Sequence, residues 1–271
     1  MMRDFTIREY VSADVPALSL LWRKVFGDSL RLITSFLAQL PQMGSAVVAV
    51  REGKVVGAAS VVDGFGLLVP GRRPQIVGYI YAVMVDPDSR GLGIGKALTR
   101  EAAVLGQRRG ASLICTLPAS DGLYGWYREV LGVECVLRRT RYETAAADRA
   151  PVKELTAAEY LLWRNMLLRV RPQLQPMQPA MEFQRQFCKL LGGGLYTCAG
   201  GICAAYLDEG VCVIKELICA DADREDIAAS VGKLLGTERV VYYLPSDTGE
   251  PYLAAPPGSV PADCVWNLTF D

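Results

Sequence analysis

The 271-residue chain contains no histidine. That absence removes Ser-His-Asp and Cys-His triads, His-ligated zinc sites and imidazole general bases together. Acid–base work must fall to Asp, Glu, Tyr, Lys, Cys or a chain terminus. Net charge is absent too, with 29 Lys+Arg against 29 Asp+Glu. A nucleic-acid partner held by a broad basic surface is therefore not expected. Long apolar runs are missing: stretches such as 79–85 are too short to span a bilayer. The opening MMRDFTIREY has no signal-peptide core, so the expectation is a cytoplasmic protein with no membrane partner. The eight cysteines include no C-x-x-C pair, the closest spacing being Cys198/Cys203. They read as reduced, mostly buried thiols, and no metal is expected.

What is present is a core. Hydrophobic residues make up 51% and charged residues 21%, a composition that folds. The length suits one large domain or two ordinary ones. Residues 5–11 alternate as a strand, and Ser12 caps a helix whose face carries Leu18, Leu21, Trp22 and Val25. A second helix covers 29–40 and ends at Pro41. Residues 45–50 and 54–62 form a hairpin across Glu52-Gly53, and 76–85 is a third long strand. Ile94, Ala97, Leu98, Ala102 and Leu105 then mark one helix face, stopped by Gly110. Strand 111–117, a short helix from Asp121 and strand 133–142 follow.

Composition shifts at AAADRAP, 145–151, which reads as a linker. The predicted domains are 1–145 and 151–271. Helices at 156–170 and 180–191 precede strands at 195–198, 202–207 and 211–219. A helix over 223–235 and a strand over 239–244 complete a coarse repeat of the element order. The fold class is α/β, a mixed sheet with helices.

The densest chemical signal is DSRGLGIGKAL, 88–98. Three glycines between Arg90 and Lys96 let an anion approach the backbone at a helix start. The dinucleotide fingerprint fails, because the sixth position from Gly91 is Lys96. The nucleotide P-loop fails too: Arg90 stands where its first glycine belongs and Ala97 where its hydroxyl belongs. A purely structural glycine turn is the remaining local alternative.

The stretch Val83 to Gly95, a strand ending V-x-V-x-P followed by R-G-x-G-I-G at a helix head, resembles the acetyl-CoA motif of the GNAT (Gcn5-related N-acetyltransferase) superfamily. The element order of 5–142 is similar to that domain as well. The resemblance implies acetyl-CoA as cosubstrate, with the pyrophosphate at Arg90, Gly91, Leu92, Gly93, Ile94, Gly95 and Lys96. It gives the backbones of Val83 and Val85 to the pantetheine arm and the thioester carbonyl. The implied reaction is transfer of acetyl to a primary amine, on a small molecule or peptide, by direct attack through a tetrahedral intermediate. The rival reading is a non-catalytic acyl-CoA sensor or interaction protein.

The family places a tyrosine acid on the helix after the next strand. Tyr127 and Tyr124 are both candidates there, and their i, i+3 spacing shares one face. The family's spacing falls on Arg128, a departure of one residue. ASDGLYG also resembles Eis-type acetyltransferases, which carry a second, degenerate GNAT-like domain and use a terminal carboxylate as base. That implies a base at Asp271; this chain is too short for their sterol-carrier-like third domain. Asp63 and Tyr81 are other possible bases.

In the second half, VCVIKELICA is followed by Asp221, Asp223, Glu225 and Asp226 in place of arginine and glycines. Acids suit a helix N-terminus but repel a pyrophosphate. One acetyl-CoA site is expected, in the first half. The second half is left to supply substrate surface or a contact in a possible homo-oligomer.

Overall fold

The structure, a computed structural model, describes residues 4–266, 268 and 270. The first half holds β1 (Thr6–Glu9), α1 (Val15–Phe26), α2 (Leu30–Met43), β2 (Gly44–Arg51), β3 (Lys54–Leu68), β4 (Gln75–Val85), α3 (Ile94–Arg108), β5 (Leu113–Thr116) and α4 (Asp121–Leu131). The second half holds β6 (Glu134–Ala145), β7 (Val152–Glu154), α5 (Ala157–Leu167), β8 (Gln173–Pro176), α6 (Gln178–Leu190), β9 (Gly194–Cys198), β10 (Gly201–Asp208), β11 (Val211–Ile218), α7 (Arg224–Leu234), β12 (Arg239–Ser246) and β13 (Glu250–Ala255).

Three local expectations change. Ser12 opens a 3-10 turn, Ser12–Asp14, instead of capping α1. The polar work there belongs to Asp14, whose carboxylate accepts from the Val11 N–H at 2.8 Å and from Arg8 at 2.6 and 2.8 Å. Pro41 does not end α2, which runs on to Met43. So close to the C-terminus its missing N–H costs one bond, and its fixed φ is helical. β3 continues to Leu68, well past residue 62. A bulge between Val62 and Phe65 absorbs the irregularity at Asp63 and Gly64, and Phe65 pairs with Val77 beyond it.

The chain forms two compact units. One comprises Met1–Leu67, Pro74–Val136 and Leu253–Val260; the other Leu68–Arg73, Leu137–Tyr252 and Pro261–Asp271. In the first unit the strands run β1-β2-β3-β4-β5-β13. The last joins through Ala254 opposite Thr116. α3 packs Ile94, Leu98, Ala102 and Leu105 onto Val47, Ala59, Val61 and Ile80. In the second unit the order is β6-β12-β11-β10-β9-β7. There Ile227, Ala228 and Val231 of α7 pack on Cys203, Cys212, Ile214 and Val240.

The same pairing scheme occurs within each unit. Two antiparallel pairings (β2-β3-β4; β9-β10-β11) are followed by a helix and a parallel strand (β4-α3-β5; β11-α7-β12). A parallel neighbour demands a crossover helix, so the helix after β4 is dictated by the sheet that precedes it.

The thiols follow burial. Cys115, Cys188, Cys198, Cys203, Cys212 and Cys264 are buried, and only Cys135 and Cys219 are half-exposed. Burial pushes Cys188 up to about 11 and Cys212 and Cys264 to about 12. We expect a maleimide reagent at neutral pH to label native protein at no site other than Cys135 and Cys219. Rapid labelling of a third thiol before denaturant is added, read by mass spectrometry, contradicts this.

Candidate active site

The site begins where β4 loses a neighbour. β5 pairs with β4 only from Val77↔Leu113 to Ile80↔Thr116. Past Ile80, β4 continues alone on that side. A bulge sits at the fork: Ala58 to Ser60 on β3 faces Met84 to Tyr81 on β4, so β4 carries an extra residue. Ala82 lies within it at φ +50°. A left-handed non-glycine residue costs about 1–3 kcal/mol, held here by the pairing on either side. The half-buried stretch Tyr81–Val83 and Val85 thus borders an opening, with backbone groups no β5 residue satisfies.

β4 leads into a 3-10 turn, Pro87–Ser89, capped by Asp86, which accepts the Asp88 N–H at 3.0 Å. Lys24 Nζ donates to the same carboxylate at 2.9 Å and holds its pKa down. Gly91 and Gly93 then adopt φ +80° and +77°, a region L side chains rarely visit. A Cβ at either would meet nothing within 4 Å. The glycines serve the backbone conformation, and the space beside the loop is open. Gly93 caps α3 without a side-chain bond. The first backbone bond runs from Ala97 N to Gly93 O at 3.1 Å. Among the described residues, the N–H groups of Leu92 to Lys96 meet no acceptor. These open donors and the positive end of α3 make an anion site.

Two cations flank it. Arg90 is exposed, with Nε 3.4 Å from the Val85 carbonyl. Lys96 is not idle: its ammonium pairs with Glu129 of α4 and depresses the Glu129 carboxyl. Glu129 is thus a counter-charge beside the anion site that the sequence does not reveal. Glu129→Gln releases Lys96 and removes a negative charge, so a polyphosphate ligand should bind several-fold tighter, most clearly at low salt. Unchanged affinity in titration calorimetry would show that Lys96 stays outside the binding step.

Tyr127 and Tyr124 project from α4. Tyr127 is buried beside Val133 and Ala254, with its ring 4.8 Å edge-on from Trp126. Its phenol shares a hydrogen bond with Thr116. Thr116 Oγ1 donates at 3.1 Å to the carbonyl of Ile80. Ile80 and Thr116 are the last β4–β5 rung, so this chain of bonds fixes the Tyr127 oxygen at the fork. Burial raises its pKa, with the Thr116 bond opposing; the phenol keeps its proton at neutral pH. Tyr124 is half-buried in the same cluster.

Other base candidates separate. Asp63 is held by Arg109 Nε at 2.5 Å, just past the far end of α3. At 1.5 Å per residue that is about 22 Å from the glycine loop. Tyr81 stands at the fork, packed against Trp22 and Phe36 at 5.7 and 5.2 Å between centroids. Asp271 lies outside the described residues.

This mixed α/β architecture is shared with solved structures. A GCN5-related N-acetyltransferase from Kribbella flavida matches at TM-score 0.70 and 18% identity, over 93% of this chain and 70% of that one. Eis1 from Mycobacterium abscessus matches at 0.57 and 17%, over 92% and 72%. A GCN5-related N-acetyltransferase from Sphaerobacter thermophilus matches at 0.53 and 16%, over 98% and 99%. At these identities the likeness is one of fold. No curated protein matches the sequence. Residues 6–128 match the family model of the acetyltransferase (GNAT) domain. That stretch contains the fork, the glycine loop and both α4 tyrosines.

Proposed function

We propose that the protein is an acetyl-CoA-dependent N-acetyltransferase acting on a primary amine. The observation that carries this is the juxtaposition of a β4–β5 fork with an open, cation-flanked helix start. The residues fit the cosubstrate: Leu92 to Lys96 offer unspent N–H donors, and Gly91 and Gly93 leave the approach clear. Acetyl-CoA supplies the activated acetyl group. The loop from Arg90 to Lys96 holds the pyrophosphate, and the unpaired backbone around Val83 and Val85 receives the pantetheine arm. Tyr127, protonated and positioned at the fork, turns its one hydroxyl proton from Thr116 Oγ1 to the departing sulfur; Tyr124 is the second choice. With no histidine in the chain, a carboxylate accepts the amine proton, and Asp271 is the assignment the Eis resemblance supplies.

In the second unit α7 opens with Glu225 and Asp226, and Arg149 ties both. Acids at that helix start support a single acetyl-CoA site, in the first unit.

Titration calorimetry with acetyl-CoA is the direct test. Wild-type protein should bind one equivalent. Arg90→Glu replaces a charge-assisted contact by repulsion and should weaken binding by about tenfold to a hundredfold. No binding by wild type sinks the proposal. Binding without turnover over a broad amine panel would turn it toward a sensor.

A further inference from the structure

The first unit has a cavity of about 510 Å³, remote from the fork. Arg109 lines it, at the opposite end of α3 from the glycine loop. Its other walls come from the end of β1, the chain leading into α1, and the last turns of α2.

The polar groups of this cavity have spare capacity of both signs. Arg109 spends Nε on Asp63, while its two Nη groups meet no acceptor among the described residues. Glu9 accepts the Ser45 hydroxyl at 2.6 Å through Oε1, and no described donor reaches Oε2. Glu9 and Arg109 line one cavity yet form no ion pair with each other. Both act on Tyr10, which lines the same cavity. Burial raises that phenol most, Glu9 raises it further and Arg109 lowers it. Beside these groups Val11, Val15 and Leu37 form an apolar wall.

A ligand carrying only negative charge would face Glu9, and one carrying only positive charge would face Arg109. Beyond the Asp63 bond Arg109 keeps its Nη edge, and Glu9 keeps one oxygen, so a ligand that brings both signs can use both groups at once. We infer that this cavity binds a free α-amino acid with an apolar side chain. The ligand's carboxylate takes the open Nη fork of Arg109, a bidentate geometry guanidinium favours. Its ammonium takes Glu9, and its side chain lies on Val15 and Leu37. The volume is within the range of small-molecule sites. None of these residues belongs to the acyl-transfer site, so the inference stands independently of the proposed activity.

The test is calorimetry on the full chain without acetyl-CoA, using leucine and phenylalanine, with N-acetylleucine and leucinamide as controls. One site for the free amino acids is expected. Loss of either charge, in the N-acetyl form or the amide, should weaken binding about tenfold or more. Glu9→Gln, at an exposed position, should do the same while acetyl-CoA titration stays unchanged. The inference is overturned if neither amino acid binds at millimolar concentration, or if leucinamide binds as well as leucine. It is also overturned if Glu9→Gln leaves binding intact, since the amino acid would then occupy another place, such as the acceptor site.

Discussion

Glu216→Gln should destabilise the second unit by about 3–5 kcal/mol, the cost of stranding a buried charge. Arg164 and Glu216 are both fully buried. The guanidinium meets the carboxylate twice, Nε to Oε2 at 3.0 Å and Nη2 to Oε1 at 3.1 Å. Tyr160 donates to the same carboxylate at 3.0 Å. Arg164 further reaches the Gln173 amide oxygen and the carbonyls of Leu174 and Val265, the last two at 3.1 and 3.4 Å. Glutamine keeps the shape and removes the counter-charge, leaving an ionised guanidinium in a dry interior. The paired variant Arg164→Met/Glu216→Leu removes both charges and should cost less than the single change. Its residual cost is the Gln173 and Leu174 oxygens left without the guanidinium and the Tyr160 hydroxyl left without its acceptor, while the Val265 carbonyl keeps the Leu174 N–H. Denaturant unfolding of both variants decides this; equal stability of Glu216→Gln and wild type would mean that water reaches the pair.

This network also shows how differently the two units use the same strand position. In the second unit β11 pairs with β12 only as far as Ile214↔Tyr242, and a bulge follows at Lys215. The next residues, Lys215 and Glu216, are buried, with the Lys215 ammonium 4.7 Å over the Phe187 ring. In the first unit the stretch past Ile80 is half-open and leads to glycines. One frame keeps its fork open, and the other fills it with ion-paired and aromatic side chains.

The sequence shows much of this, for physical reasons. The helix after β4 is legible because Ile94, Leu98, Ala102 and Leu105 repeat at the helical period, and the loop because Gly91 and Gly93 occupy positions that need positive φ. The acidic start of α7 is legible because charge needs no tertiary context. What depends on non-local pairing is not. β13 is short, follows a Ser-Asp-Thr-Gly turn, and pairs with β5 across more than a hundred residues of sequence. Its proline and polar flanks give no strand period. The AAADRAP stretch reads as a linker by composition, whereas the two units exchange chain at Val136/Leu137 and again at Tyr252/Leu253. Likewise no spacing rule joins Lys96 to Glu129 or Tyr127 to Thr116. Those contacts arise where α3, α4 and β5 converge.

The choice between the two tyrosines shows what that convergence adds. Periodicity puts Tyr124 and Tyr127 on one face and cannot separate them. The hydrogen bond to Thr116 separates them, because it ties one phenol oxygen to the last rung before the fork. Tyr127→Phe should therefore lower kcat about a hundredfold, at the low end of general-acid effects, with little change in the KM for acetyl-CoA. The low end is appropriate because a phenol near pKa 10 is a weaker acid than a thiol near 8.5, so full transfer is uphill by roughly 2 kcal/mol. Donation of a hydrogen bond to the sulfur meets no such penalty. Burial raises the Tyr127 pKa, so the phenol keeps its proton across the neutral range and any loss of rate through its deprotonation falls on the alkaline side. Removing the hydroxyl also removes the Thr116 bond, worth about 1 kcal/mol of stability. Thr116→Val separates the two effects: it breaks the same bond but leaves the phenol. A kcat loss in Tyr127→Phe that Thr116→Val does not reproduce assigns the loss to the phenol itself. Full activity in Tyr127→Phe, with a loss in Tyr124→Phe, would move the donor one turn back along α4.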